Sequence, residues 1–150
     1  MNTVQILKKR ELNWQEWLKN GDQYLKAATP RGEKSVFGPE LRYNLLSMSL
    51  EAYVMAMTDY HHNLPDNHTY TDLIMGLERV VPMDQVLKNR LLKYENIQSI
   101  CSLEKYHRTT PTEDELDDLK GAIDKISVMA HGNCLSNSYG YLQDRNVLTT

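Results

Sequence analysis

The stretch PELRYNLLSMSLEAYVMAMTDY, residues 39–60, reads as one long helix that other elements must surround. Leu41, Leu45, Met48, Ala52, Tyr53, Ala56 and Met57 recur at the three- and four-residue spacing of a helix face. Leu46 and Leu50 widen that stripe, so the helix has little polar surface and belongs at the centre. Pro39 suits the first turn, where a missing N–H costs nothing and φ is already helical.

Working outward, residues 30–39 hold two Gly, two Pro and alternating charges, which predicts a loop. Before it, Trp14, Trp17, Leu18, Gly21, Tyr24, Leu25 and Ala28 form one apolar face. Asn13 with Glu16 approximates a capping box at its start, and Pro30 stops the helix by Thr29. Gly21 on that face costs about 1 kcal/mol relative to Ala, and close approach of a neighbouring helix is the expected compensation.

After the central helix, His61 to His68 form a polar turn containing Pro65. Thr69 or Thr71 caps a short helix through Val80, with Leu73, Ile74 and Leu77 on its apolar side. Pro82 opens a longer helix carrying Val86, Leu87, Leu91, Tyr94, Ile97, Cys101 and Leu103, fraying at Lys105 and Tyr106. Residues 107–111 are expected as a loop. Thr112 and Glu115 then make a capping box. Glu113, Asp114, Asp117 and Asp118 sit where the helix dipole favours negative charge. Leu116, Leu119, Ile123, Ile126 and Ala130 continue that last helix, and Gly132 is placed for a left-handed cap. Residues 133–150 lack periodicity and are expected as an irregular or flexible tail.

The expected fold class is therefore all-α: an antiparallel up-and-down four-helix bundle with an additional short helix, in a single domain over residues 1–132. No internal repeat and no strand is read. Composition agrees, since 20 Leu against 14 Val and Ile favours straight-chain side chains that keep their rotamer freedom in a helix. At 150 residues and 41% hydrophobic content, one core without disulfide or zinc staples is feasible. No apolar run approaches the length of a membrane span, and the N-terminal residues turn basic only after their apolar ones, the reverse of a signal peptide. With two cysteines there is no disulfide framework, so a cytoplasmic protein is expected. A net charge of −3 argues against a broad electrostatic grip on nucleic acid.

Candidate chemistry is sparse. His61, His62 and His68 flank one turn, yet no carboxylate or cysteine stands at ligand spacing from them, so solvated turn histidines are the reading. His131 and Cys134 make a short pair that cannot complete a tetrahedral zinc site without Cys101 from another helix. No catalytic residue, metal or cofactor is assigned. After Lys105, the run Tyr106, His107 and Arg108 combines stacking, proton-transfer and phosphate-binding side chains, and these three are taken as the ligand-binding residues. Arg42 and Tyr43, and Arg79 and Lys88, are weaker candidates.

Three features resemble the HEPN superfamily of helical-bundle nucleotide-binding domains. They are the aromatic-led helix from Trp14 to Ala28, the long second helix followed by His68-Thr69-Tyr70-Thr71-Asp72-Leu73-Ile74-Met75-Gly76-Leu77, and Tyr106-His107-Arg108-Thr109-Thr110-Pro111 before the last helix. The likeness spans about residues 12–131. It implies an up-and-down bundle, often a homodimer, of the kind found in toxin–antitoxin and nucleotidyltransferase-linked systems. Ribonuclease members carry Arg, four to six residues, then His; none of Arg10, Arg31, Arg42, Arg79, Arg90, Arg108 or Arg145 is followed by His at that spacing. The resemblance therefore implies a non-catalytic member that self-associates and binds a partner protein, such as a nucleotidyltransferase, or a nucleotide-like ligand. RNA is unsupported by the net charge. The alternatives are an atypical ribonuclease with His107 or His68 as base and Arg108 on phosphate, and a metal-binding bundle.

Overall fold

The computed structural model describes residues 13–32, 37–99 and 107–147. Among the described residues, five α-helices follow one another: α1 (Asn13–Ala28), α2 (Pro39–Tyr60), α3 (Tyr70–Glu78), α4 (Gln85–Leu92) and α5 (Glu113–Val147). Between α4 and α5 lie a 3₁₀ turn at Glu95–Ile97 and two short strands, β1 (Gln98–Ser99) and β2 (His107–Arg108). The fold is all-α, and this antiparallel two-residue ladder, with Gln98 opposite Arg108, departs from a reading that contained no strand.

Local chemistry sets most helix starts. Pro39 occupies the first turn of α2 behind Gly38, which offers no side-chain cap. Thr69, not Thr71, caps α3: its hydroxyl oxygen accepts from the Asp72 N–H at 3.1 Å. Asp84 caps α4, so that helix begins past Pro82. Thr112 and Glu115 form the reciprocal box at α5, with backbone-to-side-chain bonds of 3.1 and 3.2 Å. At the other end of α2, the Asn63 N–H reaches the Thr58 carbonyl and the His62 N–H that of Asp59. This is a Schellman closure, and it puts His62 at φ 55°, where glycine is the usual occupant.

Contacts between helix ends fix the directions. Trp14 meets Tyr60 edge-on, and the Ser49 hydroxyl donates to the Gly21 carbonyl, so α1 runs antiparallel to α2. Arg42 pairs with Glu113 near both N-termini, while His61 bonds Asn133 near the far end of α2, so α2 and α5 run the same way. Thr71 bonds Glu95 and Lys88 meets Glu78, which makes α3 and α4 antiparallel. α2 is the axis of this arrangement. Every residue from Ala52 to Thr58 is buried, as an all-round apolar helix requires.

Two helix ends differ from expectation. The helix expected from Pro82 to about residue 103 ends at Leu92. From Leu91 in its last turn, Tyr94 and Ile97 follow as buried residues at three-residue spacing, which matches the tighter 3₁₀ turn. Tertiary donors also take the carbonyls that a continuing helix would use: the Tyr43 hydroxyl bonds the Tyr94 carbonyl at 2.8 Å, and the Thr109 N–H bonds that of Ile97. Cys101, Leu103 and Lys105 lie outside the described residues. The second difference is the tail. Gly132 does not cap α5, which continues through Val147, so residues 133–147 are helical instead of irregular. Fully buried Cys134 extends the apolar row Ile123, Ile126, Ala130 by one more step of four, and no proline interrupts the run.

Close packing explains two glycines. A Cβ on Gly21 would stand 2.7 Å from the Tyr53 ring, so its absence lets α1 approach α2, as the sequence suggested. A Cβ on Gly76 would meet Pro65 at 2.8 Å, locking α3 against the turn that precedes it.

Candidate functional site

The expected ligand-binding run falls at the strand ladder. Tyr106 lies outside the described residues. His107 and Arg108 form β2, whose backbone pairs with Ser99 and Gln98 just ahead of the loop into α5. The backbone thus holds these positions in an extended register instead of the free loop expected for 107–111.

Arg42 and Tyr43 prove to be interior residues. The Arg42 side chain is 2% exposed and pairs at 2.6 Å with Glu113, which is 70% exposed, while Arg42 Nε has no hydrogen-bond partner. Tyr43 stacks on Tyr70 with ring centroids 6.5 Å apart, and the Tyr70 hydroxyl lies 2.6 Å from Ser47 Oγ. Burial, then the neighbouring Tyr43, pushes the Tyr70 phenol well above its ordinary value. These are joints between elements. Arg79 and Lys88 are likewise engaged locally, with Asp66 at 3.7 Å and Glu78 at 2.7 Å.

The three turn histidines do not converge. His61 bonds Asn133 of α5 at 2.9 Å, whereas His68 bonds Glu51 of α2 at 2.7 Å. His131 and Cys134 also part company. Cys134 is fully buried, and burial pushes its thiol up to about 11, which leaves no reactive thiolate near neutral pH. Among the described residues, no three His, Cys, Asp or Glu side chains gather as a metal site.

His131 instead takes part in a junction that sequence reading missed. Its Nε2 lies 2.8 Å from Asp22 Oδ1, and the same oxygen accepts the Tyr53 hydroxyl at 2.5 Å. One carboxylate on α1 thereby ties together α2 and α5. Tyr53 is fully buried, and its phenol is pushed far above the ordinary value by that burial and by the Asp22 bond. Asp22 and His131 are 109 positions apart, so no local motif announces the pair. A second junction joins α4 to α5. Asp118 receives the Tyr94 hydroxyl and the Arg90 guanidinium, the latter at 2.9 Å. The Tyr94 bond, followed by Arg90, holds the Asp118 carboxyl below the usual range.

An apolar surface is the remaining feature. Leu41 and Met48 on α2 are 46% and 43% exposed, half-buried Leu45 lies between them, and Phe37 stands exposed just before the helix. Leu41, Leu45, Met48, Ala52 and Met55 follow at alternating steps of four and three, the spacing of a helix–helix seam. Ala52 and Met55, further along that seam, are buried. No helix of the described residues is long and apolar enough to cross a membrane. Comparison with family models, with curated proteins and with solved structures finds no match for this chain.

Proposed function

We propose that this chain is a non-catalytic, HEPN-like helical protein that self-associates and binds a partner protein or a nucleotide-like ligand. The observation that carries the reading is the seam-spaced apolar row of α2: it is buried from Ala52 onward, while before that Leu41 and Met48 are exposed on either side of half-buried Leu45. Exposed apolar side chains grouped on one helix face mark association surfaces more often than scattered ones do. The titratable clusters support a binding role over a catalytic one, because Asp22–Tyr53–His131 and Arg90–Tyr94–Asp118 are spent on joining helices.

Sedimentation velocity over a range of concentrations tests the first half. The wild type should sediment as a species heavier than one 17.4 kDa chain, and a Leu41→Lys/Met48→Lys double variant should sediment as the single chain. A wild type that stays at one chain at every concentration overturns self-association. For the ligand, titration calorimetry with AMP, ADP and a short single-stranded RNA compares the wild type with Tyr106→Ala/Arg108→Ala. Equal heats in both proteins would remove those residues from the site.

A further inference from the structure

We draw no further inference here: the strongest candidate, the cluster where Asp22 of α1, Tyr53 of α2 and His131 of α5 meet at one carboxylate oxygen, belongs to the junction already described as the polar joint of three helices, and among the described residues no third metal-ligating group accompanies it.

Discussion

The two halves of α2 carry the same apolar row and treat it differently. In the second half, Ala52 and Met55 are covered, and Tyr53, Val54, Ala56, Met57 and Thr58 around them are covered too. In the first half, Leu41 and Met48 lie in the same row and face outward. Helical period alone assigns Leu41, Met48, Ala52 and Met55 to one face, because it reports which residues align and not what stands opposite. Coverage is decided by neighbours. Trp14 packs on Tyr60, and Gly21 admits the Tyr53 ring, so α1 presses closest along the second half. Near the start of α2, Arg42 ties to α5, Tyr43 stacks on Tyr70 and half-buried Leu45 packs on the core, while Leu41 and Met48 on either side of it stay exposed.

Paired truncations give the sharpest break. Met57→Ala, at a fully buried position, should cost about 2–5 kcal/mol, as methionine truncations in packed cores do. Met48→Ala on the exposed row should stay within about 0.5 kcal/mol. Urea denaturation of the two variants against the wild type measures both, and equal losses would erase the distinction between the halves.

Next in size is Gly21→Ala. The new methyl meets a rigid buried ring at 2.7 Å, so overpacking should cost about 1–3 kcal/mol and outweigh the gain in helix propensity. In a Tyr53→Leu background the same substitution should cost less. A double-mutant cycle followed by thermal melting reads that coupling.

A smaller effect is expected at the α4–α5 joint, and it depends on pH. Burial, then Asp118, pushes the Tyr94 phenol up to about 12. The same phenol ionises near its ordinary value in the unfolded chain, so the stability it contributes is complete below pH 10 and is lost as pH rises from there through about 12. Asp118 works in the opposite sense. Its folded-state value is depressed, so its contribution is complete above the usual carboxylate range and is lost as pH falls below it. Tyr94→Phe should therefore flatten both the alkaline and the acid limb of a stability–pH curve. Because Asp118 is 36% exposed, solvent screens the acid-side change and keeps it the smaller of the two.

The smallest change belongs to Arg42→Met. The guanidinium is buried with one nitrogen unpartnered, and its carboxylate is largely in water, so the pair gains little to offset desolvation. The variant should be as stable as the wild type or more stable by about 1 kcal/mol. A loss of several kcal/mol in a chemical melt would show that Arg42 holds the start of α2 against α5 by more than packing.

Much of the frame was legible along the chain because its signals are local. The Thr112–Glu115 box, Pro39 in the first turn of α2, Pro30 after α1 and the demand for a small residue at Gly21 each involve residues a few positions apart or a single steric rule. The end of α4 was not legible, since its apolar positions suit a longer helix. Hydroxyl and amide donors from Tyr43 and Thr109, far away in sequence, claim the carbonyls that would have carried it on. The end of α5 was misread for another reason. Asn, Ser and Gly after residue 132 are poor helix formers, but Cys134 keeps the buried row going, and burial outweighs a weak propensity.

The candidate site divides in the same way. Tyr106, His107 and Arg108 attract attention because side chains of suitable chemistry stand together in the sequence. The grouping of Asp22, Tyr53 and His131 needs three helices to meet, and each residue alone looks ordinary. By itself the sequence determined the helical class, most of the helix starts and which residues share a face, because these follow from backbone chemistry and period. Only the tertiary structure decided which stretch of a face is covered, which histidine finds a carboxylate and where α4 and α5 stop. Those outcomes depend on what lies opposite each residue, and a one-dimensional pattern does not contain the other partner.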